Sequence, residues 1–327
     1  MPARLSIEAL NWGAVLLALA ISGYAALHGA TPLATRGTPP GGALPSMQLP
    51  IPNGPSGSAL PDATGTLIPL LYYHRIASAS PLADPLLLAL AAPDQVVAFS
   101  ARAADARDAY RYSGKPRVGA THRSEDLLAL GPDLVLLNSL GDFAAVQRLR
   151  EAGLTVFDLG PMRGVQTFLG NVFTLGWLLG RPDAARELAE HFRLRLEAIA
   201  SALPAGARRG GLYLGVHGSN LYGGTRGSSY HDVLEYAGLD DVAARDFSGW
   251  PSYDPEQLLS LDPEVIVTQT GTRTVLCQRS ELARLRACGA EGLVIEIEPR
   301  LLNDAGLGML DTSELIHQAA YPSPRPP

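Results

Sequence analysis

An α/β fold of two parallel-sheet lobes is predicted by three features: short apolar runs alternating with amphipathic stretches, a second round of the same alternation, and a largely helical segment between the two rounds. The first round holds the strand-like runs RIASAS (75–80), QVVAFS (95–100), LVLLN (134–138) and TVFDL (155–159), with helices over 85–91 and 144–152. The second holds GLYLGV (211–216), VIVTQ (265–269) and LVIEI (293–297), with helices over 231–237 and 281–287. Continuous aliphatic runs of this length suit strands covered on both faces, as in a parallel sheet.

The connector, residues 165–202, reads as helix almost throughout. Its second part opens with Pro182 and Asp183, both favourable at a helix start. It then repeats apolar side chains at Ala185, Leu188, Phe192, Leu196 and Ile199, three or four apart. Twenty residues at 1.5 Å each make a strut of roughly 30 Å. The expected organisation is therefore an N-terminal lobe over 67–163, connector helices over 164–204 and a C-terminal lobe over 205–327.

The residues before the first lobe concern address. Ala9–Leu27 carries no charged side chain, close to the length needed to cross a bilayer, so residues 1–30 read as a signal peptide or a membrane anchor. Arg4 is the only basic side chain ahead of it and Arg36 the next beyond, which favours an exported, periplasmic remainder, free or held at the inner membrane. No cysteine follows the apolar stretch, so it lacks the mark of a bacterial lipoprotein signal. Residues 31–66 hold eight Pro and six Gly without strand or helix periodicity and read as a linker.

Composition narrows function by exclusion. Twenty-six basic against 32 acidic residues, a formal charge of −6 and no basic run argue against a nucleic-acid partner, whose phosphates need clustered cations. Two cysteines exclude a disulfide-dense scaffold, a four-thiolate zinc site and a four-cysteine iron–sulfur cluster. No G-x-S-x-G, Walker A, H-E-x-x-H or post-strand G-x-G-x-x-G sequence occurs, so the usual hydrolase, nucleotide and metalloprotease readings lack their residues. These absences argue against an enzyme. Cys277 and Cys288, in one lobe of an exported chain, are expected to form a disulfide.

The most specific signal is an internal repeat. EDLLALGPDLVL (125–136) matches EQLLSLDPEVIV (256–267), with seven residues from Glu to Pro in both. Each copy describes a short helix with a carboxylate in its first turn, where the helix dipole favours it, broken at Pro and feeding a buried strand.

These segments in this order, from RIASASPLADPLLLALAAPDQVVAFS through RVGATHRSEDLLALGPDLVLLN to LYGGTRGSSYHDVLEYAGL and SYDPEQLLSLDPEVIV, resemble the periplasmic substrate-binding proteins for vitamin B12, ferric siderophores and heme. The resemblance covers roughly residues 70–320. It implies two Rossmann-like lobes joined by one long helix, a ligand cleft between them, and one glutamate per lobe, Glu125 and Glu256, docking on arginines of an ABC permease driven by its ATPase. It implies a small-molecule chelate as ligand and no resident cofactor. One departure is Asp84-Pro85, which stands where the family commonly has Thr-Glu.

Ligands of open α/β sheets bind beyond the carboxyl ends of strands. By that rule the candidates are Ser80, Tyr110, Tyr112, His122, Arg123 and Asn138 on the first lobe, and Arg226, Ser229, Tyr230, Trp250 and Tyr253 on the second. Aromatics there would stack on a corrin, porphyrin or catecholate, and the arginines would pair with its acid groups. Tyr112 or His122 is a candidate axial ligand for heme iron. Three alternatives stay open: a zinc or manganese receptor using His122, His217 and His231, a membrane-tethered sensor, and a hydrolase built on Ser229 and His231.

Overall fold

The computed structural model describes residues 57–322 except 106–108, 120–123, 140–141, 204–205, 207 and 291. The readings placed on residues 1–30, on most of the 31–66 linker and on His122 and Arg123 fall outside the described residues. Among the described residues no helix is long and apolar enough to cross a membrane.

The chain enters through a hairpin, β1 (Ala59–Pro61) against β2 (Leu67–Pro69), antiparallel with Leu60 opposite Ile68. This corrects the linker reading for residues 59–66, which belong to the folded body. Leu60 and Ile68 are buried in the main core, and Asp62 in the turn accepts hydrogen bonds from Thr64, Thr66 and the Asp158 amide while pairing with Arg150. Pro and Gly content concealed this hairpin because its strands are three residues long and the groups that anchor its turn, Arg150 and the Asp158 amide, lie far along the chain.

The first lobe follows as β3 (Ile76–Ser78), α1 (Ala83–Leu90), β4 (Val96–Ser100), β5 (Arg117–Val118), α2 (Ser124–Leu130), β6 (Leu134–Leu137), α3 (Phe143–Glu151) and β7 (Val156–Asp158). Its five strands pair in the order β5-β4-β3-β6-β7, all parallel. Period-two alternation divides β6 between two layers. Leu134 and Leu136 join the main core, while Val135 and Leu137 pack with Leu127, Val146 and Leu149 from α2 and α3.

The connector is two helices, α4 (Val165–Leu178) and α5 (Pro182–Ser201). Gly180, at φ +66, ends the first in the left-handed region and Pro182 opens the second. A Cβ on Gly176 would collide with Ala185, so this glycine lets the two helices approach closely. Helix α4 buries Val165, Phe168, Leu169, Val172, Phe173, Leu175 and Leu178, whereas α5 buries one stripe, Ala185, Ala189, Phe192 and Leu196.

The second lobe comprises β8 (Arg209–Tyr213), β9 (Gly215–His217), β10 (Asn220–Tyr222), α6 (Ser229–Tyr236), β11 (Leu239–Asp241), β12 (Ser252–Tyr253), α7 (Pro255–Leu261), β13 (Val265–Gln269), α8 (Thr272–Cys277), β14 (Leu293–Ile297), α9 (Pro299–Leu302) and α10 (Gly308–Ala320). Four strands form a parallel sheet in the order β11-β8-β13-β14, with an antiparallel sheet β12-β10-β9 beside it. The helix predicted over 281–287 is absent. That segment is turns and a 3-10 turn at Arg286–Cys288, because Leu282, Leu285 and Ala287 are each buried and a disulfide from Cys277 to Cys288 closes the loop.

One core cluster runs through both lobes. It contains Ile76, Leu134 and Leu136 of the first sheet, Phe168, Leu175 and Phe192 of the connector, and Tyr213, Val265 and Ile295 of the second sheet. Both sheets therefore rest one face on a shared helical layer, which ties the lobes more stiffly than an open linker would.

Candidate functional site

Strand order locates the site. In the first sheet the chain starts at β3, moves outward through β4 and β5, then returns to β6 on the other side, so the order reverses between β3 and β6. At such a switch the loops leave in opposite directions and open a crevice at the carboxyl ends. Ser80 and Asn138 stand there, with the Ser80 hydroxyl 3.4 Å from Asn138 Oδ1 and the Asn138 amide donating to the Gly160 carbonyl. Ser80 is fully buried and also receives the Leu82 amide, so its hydroxyl serves the turn into α1; Asn138 is half-buried.

Two aspartates fasten the neighbouring strand ends. Asp84 accepts from the Ser100 amide (3.1 Å) and hydroxyl (2.6 Å), and Asp158 from the Ser139 amide (3.0 Å) and hydroxyl (2.6 Å). Burial pushes the Asp84 carboxyl above its ordinary range, against the Ser100 and Ser78 hydrogen bonds and the charge of Arg117. The Asp84-Pro85 departure thus fixes the end of β4. Tyr112 is buried edge-on against Phe99 at 5.0 Å, with the Arg117 guanidinium over both rings, whereas Tyr110 is exposed.

The second sheet reverses between β8 and β13. Here the carboxyl end carries an aromatic pile. Tyr213, the last residue of β8, stacks on Tyr230 of α6 at 3.8 Å, and Trp250 meets Tyr230 edge-on at 5.2 Å while leaving 58% of its own surface exposed. Tight backbone makes room for it: a Cβ on Gly224 would lie 2.7 Å from the Tyr230 ring, and one on Gly223 2.6 Å from the Tyr213 carbonyl oxygen. Burial pushes the Tyr230 phenol up to about 12, so near neutral pH it is protonated and donates to Asn303 Oδ1. Tyr253 is turned into the lobe's own core, edge-on to Phe247, and Arg226 is exposed in the loop before α6.

Ser229 is buried at the start of α6. The His231 ring turns instead to Asp241, with Nδ1 2.8 Å from Oδ2, and Asp241 also accepts the Thr225 hydroxyl at 2.6 Å. Burial disfavours the imidazolium, but the Asp241 hydrogen bond and the charges of Asp241, Glu235 and Asp232 outweigh it and hold the His231 pKa above its ordinary value. No hydrogen bond joins Ser229 to His231 among the described residues, so the hydrolase pairing is not assembled. His217 is exposed on β9, and no three described His, Cys, Asp or Glu residues group to hold a metal ion.

The repeat places its acids alike. Helices α2 and α7 lead into the amino ends of β6 and β13, so their own amino ends, with Glu125 and Glu256 exposed, lie toward the carboxyl ends of the strands. Leu127 and Leu258, two residues on, are the buried anchors of each helix. Between the lobes, the Asp232 carboxylate accepts the Val165 amide at 2.6 Å and so caps α4, whose own N-cap residue, Gly164, has no side chain to do it. A Cβ on Gly164 would collide with that carboxylate.

Two switch-point lobes sharing one helical layer are the arrangement of a known family, and the family model described as periplasmic binding protein matches residues 76–299. The chain belongs to the periplasmic binding protein family. A cobalamin-binding protein of Halobacterium salinarum is 29% identical over 188 residues, 55% of this chain and 50% of that protein, so the match spans half the length of that relative. Among solved structures, a periplasmic heme-binding protein from Pseudomonas aeruginosa is 26% identical with a TM-score of 0.65, covering 78% of this chain and 95% of that one. A possible iron-binding periplasmic protein from Staphylococcus epidermidis shares the fold at 18% identity, TM-score 0.68, over 77% and 100% of the two chains.

Sequence reasoning named Tyr230 and Trp250 but missed Tyr213 and Asn303, which complete their surroundings. Tyr213 reads as an interior strand residue, and Asn303 lies 73 positions from the hydroxyl it receives.

Proposed function

We propose that this protein is the substrate-binding component of an ABC importer and captures a chelate of the cobalamin, heme or ferric siderophore class. The observation that carries the ligand class is the aromatic pile of Tyr213, Tyr230 and exposed Trp250 at the second sheet's switch point, a surface suited to a flat conjugated ligand. Asn138 would line the opposite side of the cleft, and Arg226 would pair with acid groups of the ligand. The cobalamin- and heme-binding functions named for the similar proteins support this class. Binding would close the lobes only modestly, because their common core passes through α4 and α5. Glu125 and Glu256 would then dock on the permease, and ATP hydrolysis in the partner ATPase would drive release. The apolar N-terminal segment would export the chain or hold it at the membrane. No residue is assigned a catalytic role.

The test is a thermal-shift screen of the purified protein against cyanocobalamin, hemin and ferric siderophores, with zinc and manganese ions alongside. A ligand at a hundredfold excess over its Kd stabilises the folded state by about 2.7 kcal/mol, a rise of roughly 5–10 °C in Tm for a body of this size. A shift with one chelate class supports the reading; a shift only with a bare ion moves the assignment to a metal receptor; none with any probe overturns it. Charge reversal at Glu125 and Glu256 tests delivery: unchanged uptake by cells, with ligand binding intact, would favour a sensor.

A further inference from the structure

The exposed face of Trp250 is carried by two loops that stay joined past the end of a strand pair. Strands β10 and β12 pair antiparallel through Leu221–Tyr253 and Tyr222–Ser252. Beyond them the loop before α6 and the loop before β12 go on exchanging backbone hydrogen bonds. The Gly223 amide donates to the Pro251 carbonyl (3.0 Å), the Thr225 amide to the Gly249 carbonyl (3.0 Å) and the Gly249 amide to the Arg226 carbonyl (2.8 Å). Trp250 stands between these contacts, directly after Gly249, whose φ of +67 turns the chain there. A two-stranded ribbon is marginal by itself and needs an attachment to the lobe. Side chains of the 223–228 loop give few holds: Gly223, Gly224 and Gly227 have none, Arg226 is exposed, and the buried Ser228 hydroxyl has no hydrogen-bond partner among the described residues. Thr225 is the exception. It is fully buried, and its hydroxyl donates to Asp241 Oδ2 at 2.6 Å, on the edge strand β11 of the four-stranded sheet. Asp241 is itself a fixed post. Its Oδ2 lies 2.8 Å from His231 Nδ1, its Oδ1 accepts the Ala243 amide at 3.1 Å, and its own amide donates to Glu235 Oε1 at 3.1 Å.

We propose that Thr225 is a positioning residue for ligand capture, its hydroxyl pinning the two joined loops to Asp241 so that Trp250 and Arg226 face the crevice before the ligand arrives. The inference rests on the reading of Trp250 and Arg226 as ligand contacts and names what aims them. A hydroxyl bonded to a carboxylate makes a short, strong link, and this one is shielded from competing water by burial. Valine at 225 has nearly the same shape but no donor. It would leave the buried Asp241 carboxylate one hydrogen bond short and the loops held to each other by backbone bonds alone, so the Trp250 ring would lose its fixed edge-on seat against Tyr230 at 5.2 Å. A contact face that must be ordered on binding costs affinity that a preorganised one does not. Thr225 touches no ligand in this scheme; it acts through the loop.

The test reads Trp250 first without ligand and then with it. The full chain labelled with 5-fluorotryptophan gives one fluorine signal for each of its three tryptophans, and the signal lost in Trp250→Phe is assigned to that ring. Thr225→Val should shift or broaden the Trp250 signal, leave that of Trp177 in place, and weaken binding of hemin or cyanocobalamin about five- to tenfold. Thr225→Ser, which restores the hydroxyl, should return both readings to the native values. Ser228→Ala removes a buried hydroxyl without a partner from the same loop and should change neither. All readings are taken well below each variant's Tm, with Thr225→Ala as a second hydroxyl-free variant where valine perturbs folding. A Trp250 signal that ignores the hydroxyl, unmoved in Thr225→Val and Thr225→Ala or moved as far in Thr225→Ser, overturns the proposal and leaves the aromatic reading to stand on Trp250→Ala. A signal that follows the hydroxyl, with hemin and cyanocobalamin bound equally by the native protein, Thr225→Val and Trp250→Ala, overturns the reading of Trp250 as a ligand contact and with it the part given to Thr225.

Discussion

The two lobes reach the same architecture by different means of support. The first is held by buried carboxylates: Asp62 ties the entry hairpin to Arg150 and β7, while Asp84 and Asp158 clasp serines at the ends of neighbouring strands. The second relies on a disulfide, a stacked aromatic pile and one mixed cluster, Thr225–Asp241–His231. Hydrogen-bonded acids rigidify without offering surface, whereas aromatics rigidify and leave a face on which a ligand can lie. The exposed aromatic surface at the switch points therefore falls on the second lobe, at Trp250.

The sharpest way to break this contrast is Asp62→Ala. It strips the partner from Arg150 and leaves the amides of Thr64, Thr66 and Asp158 without their acceptor. Removing one member of a buried pair costs about 3–5 kcal/mol, to be read by urea unfolding; a loss under about 1 kcal/mol would show the hairpin to be peripheral. Next is reduction of Cys277–Cys288. Releasing a loop of sequence separation 11 costs up to about 3 kcal/mol in the chain-entropy model, measured as a fall in Tm with reductant that Cys277→Ser/Cys288→Ser reproduces without it.

A smaller effect separates binding from stability. Trp250→Ala should weaken ligand binding about tenfold, near 1.4 kcal/mol, while changing stability by less than about 0.5 kcal/mol, because the ring is more than half exposed. Titration of the bound chelate and urea unfolding of the same variant decide it. Equal losses in both would make Trp250 a packing residue.

The smallest effect is pH dependence, and its sign differs between lobes. The His231 pKa is raised from 6.5 on folding, so its contribution is complete below about 6.5 and disappears as pH climbs through the higher folded value. Asp62 is the reverse. Burial works against its charge, but hydrogen bonds from Thr64 and Asp158 and the charge of Arg150 hold its pKa below 3.8. Its contribution is complete above that value and fades as pH falls through the folded one. Tm should therefore decline on the alkaline side in the native protein and lose that decline in His231→Gln; an unchanged alkaline limb in the variant would exclude His231 as the source.

Much of this was legible in the chain. The strands at 265–269 and 293–297 coincide with the aliphatic runs, and the repeat located both exposed glutamates at helix starts, because buried parallel strands and helix amino ends impose their chemistry on adjacent residues. The predicted helix over 281–287 failed for the opposite reason. Leu282 and Leu285 follow helical spacing, yet the loop is set by a disulfide and by Arg279 reaching residues sixty positions earlier.

The sequence by itself determined the fold class, which rests on periodicity and on local signals at strand and helix ends, and the family, which rests on resemblance of several motifs in one order. Only the tertiary structure decided which candidates share a surface. It stacked Tyr230 on Tyr213, turned Tyr253 and Tyr112 inward and spent His231 on Asp241. Those choices depend on packing between segments tens of residues apart, where side-chain direction is fixed by close contact and no local pattern records it.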